Sequence, residues 1–103
     1  MAYDIQWMRR ASSDIENIYL FYREKANKNV ALRRLQRIKQ DVSHLRTMPY
    51  IGPLDEDYHH TPTYRYLTVL DYRVYYFVED DVVYIAAIWD CRQGGMVFEE
   101  KKQ

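Results

Sequence analysis

A chain of 103 residues and 12.6 kDa has room for one sheet-and-helix core and excludes a two-domain reading. Hydrophobic residues at 48% and charged ones at 29% exclude a disordered chain, and the longest apolar run, Val82 to Trp89, is too short to span a bilayer. The net charge of zero hides an asymmetry: residues 1–46 carry ten Lys or Arg against five Asp or Glu, and residues 47–103 carry five against ten.

The basic half could face phosphates or an acidic protein segment, or it could be ordinary solvated helix surface. Cys91 is the single cysteine, so no intramolecular disulfide forms, and no N-terminal stretch has the apolar core of a signal peptide. The default address is the cytosol, with no membrane partner.

In chain order, "YDIQWM", Tyr3 to Met8, alternates Ile5 and Trp7 with polar neighbours and predicts a short strand. A helix follows, because Trp7, Ala11, Ile15, Ile18 and Tyr22 recur at steps of four, four, three and four along one face. Ser13 with Glu16 fits a capping box, whereas the stripe favours a start near Arg9, which is the reading preferred here. "ANKN", Ala26 to Asn29, supplies a turn and the next N-cap. The second helix carries Ala31, Leu35, Ile38, Val42 and Leu45 on one face and ends before Pro49. A link of about three or four residues makes the two helices an antiparallel hairpin whose apolar side needs a cover.

"MPYIGPLDEDYHHTP", Met48 to Pro62, holds all three prolines and predicts an irregular surface connection. Strands are predicted at Tyr64 to Val69, Tyr72 to Glu79 and Val82 to Trp89, with two-residue turns at Leu70-Asp71 and Asp80-Asp81, giving an antiparallel meander. After Gly94-Gly95 comes a charged tail.

A two-residue turn at Asp80-Asp81 would pair Glu79 with Val82, Phe77 with Tyr84, Tyr75 with Ala86 and Arg73 with Ile88. Parity then puts Tyr72, Val74, Tyr76, Val78, Val83, Ile85, Ala87 and Trp89 on the helix-covered face. Arg73, Tyr75, Phe77, Tyr84, Ala86, Ile88 and Asp90 fall on the other face. Extended past the strand, the same parity brings Arg92 to the Arg73 side. Two guanidiniums beside tyrosines could clamp a phosphate and stack bases; alternatively, each arginine pairs with Asp90, Asp71 or Glu79 and the rings are half-buried core. Arg65 is a third candidate: a two-residue turn at Leu70-Asp71 pairs Thr68 with Arg73 and places Arg65 on the opposite face, which a bulge or a three-residue turn would reverse.

The stretches "RASSDIENIYLFY", "RLQRIKQDVSHLRTMPYIG" and "YRYLTVLDYRVYYFVEDDVVYIAAIWDCRQ", in this order and spacing, resemble the RelE/ParE superfamily, the toxin halves of bacterial type II toxin–antitoxin pairs. The resemblance covers nearly the whole chain. It implies a single α+β domain over 1–103, β-α-α-β-β-β, with a helical hairpin packed on an antiparallel sheet, and a cognate antitoxin as partner. RelE-like members cut messenger RNA on the ribosome, and ParE-like members poison DNA gyrase. Arg73 matches the arginine of the family's "YR" strand motif, and Arg92 matches the basic residue after the last strand; both would be catalytic only in a ribonuclease. Arg65 falls near a position that is lysine in the nucleases. Leu67 and Phe98 stand where the nucleases carry a second lysine and a tyrosine, two departures from the nuclease pattern. Arg65, Tyr75, Tyr84 and Phe98 are the candidate target-binding residues.

Cleavage by the RNA's own 2′-hydroxyl needs a proton acceptor, and arginine stays protonated, so His59, His60, Asp90, Glu99 or Glu100 would have to serve. Adjacent histidines in a proline-flanked loop are ordinarily surface residues, and no third ligand is spaced for zinc. No cofactor motif is present. The long hairpin looks more like ParE-type members than RelE, which puts DNA gyrase ahead of the ribosome and its message as target. A non-toxic relative that only binds antitoxin is the remaining alternative.

Overall fold

A computed structural model describes residues 2–56 and 62–93. Strand β1 spans Asp4–Trp7, helix α1 Arg9–Lys25 and helix α2 Lys28–Ser43, which runs on into a 3-10 turn at His44–Arg46. Strands β2 (Arg65–Val69), β3 (Tyr72–Glu79) and β4 (Val82–Asp90) follow, and a second 3-10 turn occupies Cys91–Gln93.

Helix α1 starts at Arg9, so the stripe and not the Ser13-Glu16 box marks its beginning. Asn27 accepts the Val30 amide at 2.9 Å as the N-cap of α2, which shortens the link between the helices to two residues. The apolar stripes meet the sheet: Ala11, Ile18 and Tyr22 of α1 and Ala31, Ile38 and Val42 of α2 are buried against Val69, Tyr72, Val74, Tyr76, Val83, Ile85 and Ile88, with Leu45 of the 3-10 turn completing the core.

Sheet order is β1-β4-β3-β2. The meander is antiparallel as predicted, while β1 joins it parallel to β4, Asp4 lying opposite Val82 and Trp7 opposite Ile85. Both hairpin turns have two residues. Asp80 and Asp81 take φ of 53° and 64°, the paired left-handed conformation that matches strand twist, and Leu70 takes φ of 56° in the other turn.

One feature of β4 departs from the expected register. Pairing runs as predicted from Glu79–Val82 to Tyr76–Ile85, then Ala86 is bulged out and Tyr75 pairs with Ala87, Val74 with Ile88, Arg73 with Trp89 and Tyr72 with Asp90. The extra residue reverses the parity of everything beyond it. Ile88 enters the core. Asp90, beside Tyr72, falls on the helix side, and Trp89, beside Arg73, on the outer one, the reverse of the expected assignment for all three.

Helix α1 fixes this end of β4. Asp14 accepts the Ile88 amide at 2.9 Å and the Arg10 guanidinium at 3.1 Å, satisfying a strand donor that lies beyond the reach of β1.

Candidate functional site

The predicted convergence of Arg73 and Arg92 on one face does not occur. Arg73 sits on the outer face, its guanidinium carbon 4.2 Å from the centroid of the Tyr66 ring, and a hydrogen bond with Tyr75 raises its pKa further. Arg92 lies at the rim of the helix-covered face. The bulge at Ala86 and the 3-10 turn after Asp90 together defeat the extrapolated parity.

Arg92 is held on several sides. Its Nε donates to Asp90 Oδ1 at 3.0 Å and its Nη2 to Asp90 Oδ2 at 2.9 Å, a two-pronged pair, while Asp90 Oδ1 also accepts the Arg92 backbone amide at 2.9 Å. Nη1 lies 3.6 Å from Asp71, and Nη2 donates to the Tyr22 hydroxyl at 3.0 Å. The arginine–aspartate bond holds the Asp90 carboxyl below its ordinary range and pushes Arg92 up.

Behind this clasp, Tyr22 stacks beneath Arg34, whose guanidinium carbon is 4.2 Å from the ring centroid. Arg34 Nη1 is buried and has no hydrogen-bond partner among the described residues, so the ring face is its principal compensation. Burial pushes the Tyr22 hydroxyl up, but hydrogen bonds from Tyr72 and Arg92, with the charges of Arg34 and Arg92, outweigh it and leave it lowered. Tyr72 is shifted the other way, by burial first and then by its bond to Tyr22. Five side chains from α1, α2, β3, β4 and the closing turn thus form one polar knot. Sequence reading missed Tyr22, Tyr72 and Arg34 here. The signal was present: a tyrosine ending each apolar run carries a hydroxyl that requires a partner at the core's rim.

Arg65 falls on the face opposite Arg73, as the Thr68–Arg73 pairing required. Its guanidinium donates to the carbonyls of Tyr50 at 3.2 Å and Gly52 at 2.8 Å, anchoring the loop after α2. Tyr75 is 1% exposed and cannot offer its ring to a base; Tyr84 is half-buried and stacked on Phe77 with centroids 4.9 Å apart. Leu67, at the position of the second nuclease lysine, packs against the core. Phe98, His59, His60, Glu99 and Glu100 lie outside the described residues. Asp90, the remaining candidate base, is engaged by Arg92.

A cleft of about 300 Å³ opens beside the clasp, lined by Arg10, Asp14, Phe21, Trp89 and Asp90 among others. Phe21, with Leu20 and Leu32, gives the linked end of the hairpin an exposed apolar surface. No helix among the described residues is long and apolar enough to cross a membrane, and among those residues no group of three His, Cys, Asp or Glu could hold a metal.

The geometry therefore defines a small α+β protein with a helical hairpin on a four-stranded mixed sheet, its last strand clasped to the hairpin and its arginines divided between separate surfaces. Residues 5–94 match the family described as ParE toxin of type II toxin-antitoxin system, parDE, and the chain belongs to that family. Its fold is similar to that of a chain from the chromosomal ParDE TA system of P. aeruginosa, with a TM-score of 0.74 at 23% identity, covering 86% of this chain and 96% of that one. No curated protein matches it.

Proposed function

We propose that this toxin of a ParDE-type pair arrests growth by acting on DNA gyrase, and that its antitoxin partner neutralises it. Family membership supplies the toxin class and implies the antitoxin. The target is inferred from one observation: Arg92 is committed to Asp90, Asp71 and Tyr22. Among the described residues, that leaves Arg73 without Arg92 as a second cation beside it and without Asp90 as a free proton carrier, two parts that RNA cleavage needs.

A gyrase poison needs no such set, since it acts by binding. The surface suited to binding is the linked end of the hairpin, where Leu20, Phe21 and Leu32 are exposed at 41%, 48% and 39% and the Lys25 ammonium lies 6.0 Å from the centroid of the Phe21 ring. The messenger-RNA nuclease reading rests on Arg73 and its aromatic neighbours, and a non-toxic relative would share the same fold. Parallel assays separate the three readings. Purified chain should block plasmid supercoiling by gyrase or trap cleaved DNA, while messages from induced cells remain intact. Cut messages with normal supercoiling favour the nuclease, and harmless expression without antitoxin favours the inert relative.

A further inference from the structure

From Lys28 to Gln40, helix α2 carries five cations and no carboxylate. Arg34 is turned inward onto the Tyr22 ring, and the other four, Lys28, Arg33, Arg37 and Lys39, are exposed. Lys28, Arg33 and Lys39 make no ion pair or side-chain hydrogen bond among the described residues. Arg37 meets Asp41 only through Nε, at 3.4 Å, so its two terminal nitrogens stay open.

Their arrangement follows from the helical period. Ala31, Ile38 and Val42 face the core, and the opposite side of α2 presents Asn29, Gln36 and Gln40, an exposed strip of side-chain amides. Arg33 and Arg37 form a row along one side of that strip. Lys28 and Lys39 stand along the other, roughly 150° away around the axis. The face is thus two rows of cations divided by groups that both donate and accept hydrogen bonds.

We infer that the solvent face of α2 docks on duplex DNA, its two cation rows on the phosphates that border the major groove and its amide strip toward the base edges between them. This deepens the gyrase reading, on which it rests, by giving the toxin a grip on the DNA that gyrase holds. Charge complementarity selects a polyanion. A protein partner would need an apolar anchor at the centre of the patch, where this face has only amides; Leu32, the one exposed large apolar residue of α2, belongs to the patch at the linked end of the hairpin. The B-form major groove, roughly 12 Å wide, admits an α-helix, and long arginine and lysine side chains reach the backbones on both sides of it. The deep, narrow major groove of duplex RNA does not.

The test is fluorescence anisotropy of a labelled DNA duplex of mixed sequence, titrated with the purified full chain over a range of salt. Binding should show a dissociation constant on the order of 10⁻⁵ M at about 50 mM salt, and the slope of log affinity against log salt should be about −3 to −4, as four phosphate contacts require. Arg33→Gln with Arg37→Gln should weaken binding at least tenfold and flatten the slope by about 2. Arg73→Gln, which removes a cation from the outer sheet face, should change affinity less than twofold. An RNA duplex should bind severalfold more weakly, and polyglutamate at equal charge should leave the DNA bound. Circular dichroism checks that each variant is folded. Absence of binding, a slope that the α2 substitutions do not move, equal affinity for duplex RNA, or displacement by polyglutamate would each overturn the inference, the last in favour of an acidic polypeptide. Supercoiling by gyrase is scored separately: a chain that inhibits gyrase yet ignores the duplex sinks this inference alone, and a chain that binds the duplex yet leaves gyrase untouched sinks the gyrase reading.

Discussion

Asp90 carries three hydrogen bonds from Arg92, so its protonation governs the clasp. Its folded pKa lies below the unfolded value of about 4, so its stabilisation is complete above about pH 5 and is lost as pH falls through that value toward the lower folded one. Arg92 is about half exposed at 49%, and solvent screening keeps the pair to about 1 kcal/mol. Asp90→Asn should lower the unfolding free energy from urea titration at pH 7 by that amount, and the gap from wild type should shrink by pH 3; a gap independent of pH would contradict the assignment. Arg73→Ala removes a ring contact on a separate face and should leave gyrase inhibition within about twofold, whereas a nuclease would lose its activity. Gly52 has no space for a side chain: an added Cβ would strike the Tyr66 carbonyl and come within 2.8 Å of the Tyr76 hydroxyl, which accepts the Gly52 amide at 3.0 Å. Gly52→Ala should cost about 1–3 kcal/mol in chemical denaturation.

Among the elements, the helices and both hairpin turns were legible because each has a one-dimensional signature: apolar residues at steps of three and four, Asn27 at a cap, Asp80-Asp81 between β-branched runs. The bulge at Ala86 was not, and the reason lies in "VVYIAAI". Most of this strand is buried on both faces, so alternation carries little polarity from which to read a slip, and two adjacent alanines accept either register. The parallel seat of β1 was equally hidden, since four residues do not name their neighbour. The site suffered most, because one inserted residue moved Asp90 and Arg92 to the other side of the sheet. Deleting Ala86 removes the extra residue but leaves Ile88 opposite Val74 and Trp89 opposite Arg73, so the variant should fold with Ile88 still buried, as urea unfolding would check; a variant that fails to fold would show that the bend of the bulge is itself required. At the turn, Asp81→Gly relieves a φ of 64° and should raise the unfolding free energy by about 0.5–1 kcal/mol.

For the whole molecule, the clasp ties sheet to hairpin as one rigid support, and the opposite charges of the two halves of the sequence give it a basic hairpin side. On this account the helical hairpin meets the target while the outer sheet face, with Arg73 against Tyr66, plays no chemical part. The most direct measurement is supercoiling of relaxed plasmid by purified gyrase, titrated with purified chain. The account predicts inhibition or trapped cleaved DNA near equimolar toxin, abolished by charged substitutions at Leu20 and Phe21 and retained in Arg73→Ala. Full supercoiling at large toxin excess, alongside messages cut on the ribosome in an Arg73-dependent way, would contradict it.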